Sequence, residues 1–206
     1  MMNGFIRIAV LVMPLALLPA EPVITPKLDT PQVRVSVATL QPKMPSVARE
    51  GHATDRVLIY LDDGVMTRSE GSQSTRIEFH RGDVRWRAAS GPYTAENISD
   101  HPIRILEIDL KSAPSGPLPV TELDPARVDG SHYKVALENE HVRVLRIHYG
   151  PHDKGQRHEH ILNRVVLILN DQASGKADDV RMAGAAAHTE ENDADRPADR
   201  IAVELK

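Results

Sequence analysis

Short runs of alternating apolar and polar residues recur along the chain from Val33 onward. Val33–Leu40 (VRVSVATL), Arg56–Leu61 (RVLIYL), Val65–Ser69, Thr75–His80, Asp83–Arg87 and Ile103–Leu110 are β-branched or alternating and bounded by Gly, Pro, Asp or Ser. A period of two in segments this short predicts strands whose side chains face opposite ways in turn. No stretch beyond the N-terminal region holds a 3.6-residue period over three turns. Closely spaced strands and turns without a long helix predict an all-β sandwich or barrel.

The pattern then starts again. Ser112–Gly130 (SAPSGPLPVTELDPARVDG) contains four prolines and reads as a Pro-rich linker over 112–130. On its two sides Leu28–Val35 (LDTPQVRV) matches Leu137–Val144 (LENEHVRV), and Arg49–Val57 (REGHATDRV) matches Arg157–Val165 (RHEHILNRV). Asp83-Val84-Arg85 returns as Asp179-Val180-Arg181. Tyr93–Lys111 lies over His188–Lys206 without a gap, with seven of nineteen positions identical. An internal repeat of this length implies two tandem units, 32–111 and 131–206. The second is shorter: Gly64 to Gly82 is eighteen positions, whereas Gln172 to Asp178 is six, so the second unit should lack one hairpin.

Composition narrows the function classes. The 206 residues carry a net charge of -4 with mixed signs, two Phe, one Trp and four Tyr, which gives no basic stripe or stacking surface for nucleic acid. The chain has no Cys, hence no disulfide. Met1–Arg7 with its single cation, the apolar Ile8–Leu18 and Pro19-Ala20 read as a signal peptide over 1–20, with an uncleaved membrane anchor as the alternative. Residues 21–31, rich in Pro and without periodicity, read as a linker. The expected location is exported, periplasmic or extracellular, with no transmembrane segment in the mature chain if the signal is cleaved.

The candidate chemistry sits at His158-Glu159-His160, directly before the apolar run Val165–Leu169. On a strand, residues i and i+2 share a face, so both imidazoles can reach one ion while Glu159 points away. His188, in the matched downstream segment, is the expected third ligand. Three neutral imidazoles leave a divalent ion its full charge and open positions, and they do not select among Fe, Mn, Zn and Ni. Metal occupancy is expected to fall as the histidines protonate. In the first unit the same positions hold Glu50, His52 and Tyr93, a poor set for a divalent ion and at most a degenerate site. His101, His132, His141 and His152 read as packed or solvated. Arg81-Gly82-Asp83 reads as a tight turn, and Asn97 in the sequon Asn97-Ile98-Ser99 as a turn residue.

These residues resemble the cupin superfamily, and the repeat makes the chain similar to a bicupin. His158-Glu159-His160 matches the family's HxH, His188 with Asn192 matches its H-x-x-x-N, and in the first unit Gly82-Asp83 opens the second motif and Asn97 closes it. The chain departs where the family's acidic ligand falls near Arg164 or Val165, and where Asp178 replaces the second motif's glycine. The resemblance, over 31–206, implies two double-stranded β-helix (jelly-roll) barrels and a divalent metal ion on His158, His160 and His188. As an enzyme it would be a metal-dependent dioxygenase or isomerase of cupin type, oxidising or isomerising a small anionic metabolite. The alternative is a non-catalytic barrel that binds a small-molecule ligand or serves as a dimerising structural module, with a homodimer compatible with either. The sequence assigns no catalytic acid or base.

Overall fold

The computed structural model describes residues 21–44, 47–114, 116 and 120–206. The expected signal peptide (1–20) and part of the Pro-rich linker lie outside the described residues. The protein is all-β, with one short helix among the described residues.

The first half runs through β1 (Val23–Asp29), β2 (Val33–Leu40), β3 (Val47–Arg49), β4 (Arg56–Tyr60), β5 (Gly64–Glu70), β6 (Gln73–Phe79), β7 (Val84–Arg87), β8 (Tyr93–Asn97) and β9 (Ile103–Leu110). Helix α1 (Pro125–Val128) leads into the second half: β10 (Tyr133–Glu138), β11 (Val142–Tyr149), β12 (Asp153–Lys154), β13 (His158–His160), β14 (Arg164–Ile168), β15 (Val180–Ala183), β16 (Ala186–His188), β17 (Glu191–Asn192) and β18 (Ala198–Leu205). Each half has a five-stranded antiparallel sheet, ordered β1-β2-β9-β4-β7 in the first and β10-β11-β18-β14-β15 in the second. Their bulges also correspond, between Pro26 and Leu28 in β1 and between Val135 and Leu137 in β10. A four-stranded sheet, β3-β8-β5-β6, completes the first half, while the second has only the pairs β13-β16 and β12-β17 among its described residues. Where the first half inserts the β5–β6 hairpin, the second has a turn closed by the isolated bridge Gln172–Gly175.

Alternation explains how each large sheet is used. In β4, Val57 and Ile59 enter one core while Leu58 and Tyr60 enter another; in β14, Val165 and Leu167 separate from Val166 and Ile168 in the same way. Both faces of these central strands are therefore buried, which is why they read as nearly unbroken apolar runs. One core lies between the two large sheets and draws Val33, Val35, Leu106 and Ile108 from the first half with Val144, Leu167, Ile201 and Val203 from the second. The two halves thus share a core instead of being joined only by a linker.

Two segments expected to be linkers are built into the fold. Residues 21–31 contain β1, which pairs with β2 over Val23–Asp29. Most of β1 is exposed, so it lacks the alternation that marks a half-buried strand. Pro26 is tolerated because β1 is an edge strand, where a missing N–H need not break a ladder. The C-terminal part of 112–130 is likewise ordered: the Asp124 side chain caps α1 by accepting from the Arg127 N–H, and Asp129 is 2% exposed.

Charged contacts also join the halves. Asp178 accepts from Arg81 and Arg104 of the first half, each at 2.6 Å. It has φ +69°, and Gly82, at the corresponding turn of the first half, has φ +85°. Asp tolerates the left-handed region better than most residues, and here its carboxylate gains two guanidinium partners that glycine cannot bind. The buried Asn97 donates to the carbonyls of Leu40 and His101 at 3.1 and 2.8 Å. Asn192 does the same for Gly150 and Arg196 at 2.7 and 2.8 Å. Both are turn clamps, and the sequon asparagine is consumed by that role.

Candidate metal centre

Strands β13 and β16 bring the three predicted ligands together. His158 is the register partner of His188, and His160 faces Ala186 two positions along. His158 and His160 are 0% and 2% exposed, whereas Glu159 turns the other way and accepts from the Thr121 hydroxyl at 2.5 Å. The Glu159 N–H donates to Leu123 O at 2.8 Å, tying β13 to the segment before α1. One ligand nitrogen from each of His158, His160 and His188 lies within 4.8 Å of the others.

Hydrogen bonds fix the tautomers. Nδ1 of His158 lies 2.9 Å from Gln156 O, which only accepts, so Nδ1 carries the proton and Nε2 presents a lone pair. Nδ1 of His160 donates to Glu204 Oε1 at 2.7 Å, and Glu204 is itself 4% exposed. A carboxylate behind an imidazole is the arrangement that orients metal-binding histidines and raises their basicity. Nε2 of His188 is 3.1 Å from Nε2 of His158. Two nitrogens bound to one ion at ordinary bond lengths would lie roughly 3.0–3.4 Å apart, so the pair fits a shared cation. Burial, then the charge of neighbouring His158, pushes His188 down to about 4; burial also lowers His158. Both rings are held in the neutral, ligating form.

A second group closes the site from the other side. The Tyr133 hydroxyl donates to Glu190 Oε2 at 2.8 Å and lies 3.0 Å from His158 Nε2. Burial, reinforced by Glu190, raises the Tyr133 pKa and keeps the phenol protonated. Burial would raise Glu190, but Arg200 and the Tyr133 hydroxyl outweigh it and hold the carboxylate ionised. Glu190 therefore places a negative charge in the site where the position near Arg164 places none. With one oxygen on Tyr133 and the other on Arg200, it is set to hold those groups. Arg164 is 7% exposed and its Nη1 donates to Gly184 O at 2.5 Å. A groove of about 340 Å³ is lined in part by Thr121, Asp124, Arg143, Glu159 and Glu204.

Sequence reasoning found the three histidines but not Tyr133, Glu190, Arg200 or Glu204. Glu190 was accessible, because the i, i+2 spacing that links His158 to His160 also links His188 to it. The other three lie on strands whose pairing no local signal announces.

The corresponding first-half residues are arranged differently. Tyr93 is 4% exposed with its hydroxyl 3.2 Å from His52 Nε2, and Glu50 is exposed. The Arg68 guanidinium lies 3.4 Å from the Tyr93 ring centroid, and Arg56 donates to its hydroxyl at 3.4 Å. Two guanidiniums against Tyr93 oppose a cation there. Of the lone histidines, His132 is held between Asp129 and Asp153 at 2.6 and 2.9 Å, and His141 stacks on Trp86 across the two halves.

No family model matches the sequence, and no curated protein matches it. Solved structures do match the fold. A cupin 2 conserved barrel domain protein from Leptotrichia buccalis superposes with a TM-score of 0.55 at 13% identity, covering 91% of this chain and 90% of that one. Streptomyces albus HEPD, solved with the substrate 2-hydroxyethylphosphonate and Fe(II) bound, gives 0.63 at 10% identity over 90% of this chain and 71% of that one. Bacillus subtilis oxalate decarboxylase, in a structure concerned with its Mn(II) centres, gives 0.59 at 12% identity over 92% and 78%. These likenesses place the chain among proteins of the cupin fold.

Proposed function

We propose that this cupin-fold chain holds a divalent metal ion on His158, His160 and His188 and acts on a small anionic metabolite. The observation that carries the reading is the convergence of two buried, tautomer-fixed imidazoles with His188, backed by Glu204 and Gln156 O. A divalent ion there supplies Lewis acidity and, for Fe or Mn, a redox couple. The three neutral donors add no charge of their own and Arg200 offsets that of Glu190, which favours an anionic ligand. The phosphonate and oxalate in the neighbours' names belong to the same class. Tyr133 keeps its proton on Glu190, so the His158 lone pair stays available. Arg200 holds Glu190 in place, and Glu204 orients His160. Oxidation or isomerisation is the reaction class we assign.

The second reading is a non-catalytic barrel that binds a small ligand or serves as a dimerising module. Its support is the 3.1 Å contact of His188 Nε2 with His158 Nε2, which can close the cluster by a hydrogen bond alone. Elemental analysis of protein purified without chelator, beside a His158→Ala/His160→Ala variant, separates the two. Near-stoichiometric metal lost in the variant supports the metal reading; equal content in both would sink it. We also propose that the halves are tandem barrels derived by duplication, supported by their matching strand order and bulges. Export is proposed from the sequence alone, and mass spectrometry of the mature N-terminus tests it. Light scattering in solution tests a homodimer.

A further inference from the structure

The interior of the first half is cationic in a way the metal reading does not use. Along β4, Arg56 shares a face with Leu58 and Tyr60; along β7, Arg87 lies opposite the face that sends Val84 and Trp86 to the shared core. Arg56 and Arg87 are direct cross-strand partners, a pairing of like charges that is unfavourable without something between them. Burial, then the charge of Arg68, lowers the Arg87 pKa, so these guanidiniums are crowded as well as desolvated.

Arg56, Arg68 and Arg87 line one cavity of about 20 Å³ together with Tyr60, Tyr93 and Glu107. Arg56 is 1% exposed, and among the described residues its Nε and Nη1 meet no hydrogen-bond acceptor. The Glu107 carboxylate oxygen is 4.0 Å from Nη1, beyond hydrogen-bond reach. Nε of Arg87 is also buried without an acceptor. Arg68 and Arg87 continue into an adjoining groove of about 150 Å³ with Glu70, which takes Arg68 Nε at 2.7 Å. Among the described residues, three guanidiniums and two carboxylates line the two spaces. Arg85 and Asp109, on the same inner faces, line neither space.

We propose that the first half binds a small monocarboxylate, its carboxylate between Arg56 and Arg87 and its short tail in the groove beside Arg68. A planar carboxylate matches the paired N–H groups of guanidinium, and the cavity admits a group little larger than a water molecule. This site does not depend on the metal reading.

Isothermal titration of acetate into the full chain, stripped with chelator and held at low salt, tests it. One saturable site is expected. Arg87→Gln, on an edge strand and half-buried, should weaken it at least tenfold, as loss of a charge-assisted hydrogen bond implies. Arg56→Met should abolish it, with circular dichroism to check folding, and His158→Ala/His160→Ala should keep it. No saturable heat, or an affinity unchanged in Arg87→Gln, would overturn the site. Loss in the histidine variant would assign the anion to the second half instead, and chloride binding as tightly as acetate would remove the carboxylate assignment.

Discussion

The two halves share a strand order and differ in what their inner faces carry. Around Tyr93 the first half gathers Arg56 and Arg68, with a phenol where the second has His188. In the second, Ala183 takes the register place that Arg87 holds in the first, opposite the arginine that opens the apolar strand. Carboxylates there back basic groups, as Glu204 does for His160 and Glu190 for Arg200. A few substitutions on one scaffold therefore separate an interior suited to an anion from one suited to a cation.

The sharpest break of that comparison is at the ligand positions. His158→Ala/His160→Ala should reduce metal from near-stoichiometric to background, while His52→Ala leaves it unchanged by elemental analysis. Equal losses would mean that the halves are not functionally distinct. Leu167→Ala, in the core both halves contribute to, should cost about 2–5 kcal/mol in urea unfolding. Fluorescence and far-UV circular dichroism should report one shared transition; two separated transitions would show that the halves have independent stability. Glu204→Gln should weaken metal binding about 10- to 100-fold in a chelator competition, because His160 loses its orienting carboxylate.

The smallest effect is in pH. His188 is neutral in the folded apo protein down to about 4, whereas the unfolded chain takes up the proton near 6.5. Stability contributed by the neutral ring is therefore fully present above about pH 6.5 and declines as pH falls towards the folded value. His188→Tyr, which installs the first-half residue, should flatten that decline in urea midpoints measured on apo protein. The same shift moves proton competition with metal below the ordinary histidine range.

The parts legible in sequence were those set by local spacing. Alternation located β2, β4 and β9, and the i, i+2 rule located His158 and His160. Strand β1 escaped because an exposed edge strand has no apolar face to alternate. Tyr133 and Glu204 escaped because they reach the site from β10 and β18, strands of the large sheet that meet the β13-β16 pair only through side chains. Runs such as VRVSVATL marked strands without showing that the other half covers one face of the sheet they build. Asp178 was visible as a departure from the glycine pattern, but its bond to Arg81 and Arg104 depends on how the halves pack.

The core between the two large sheets has an evolutionary consequence. In a symmetric homodimer every substitution appears twice, so a change that spoils one site spoils its twin. Here the two walls of the contact are encoded separately, and either can change alone while the other continues to support it. Ligand specificity can then drift in one half without forfeiting the buried surface that keeps both folded.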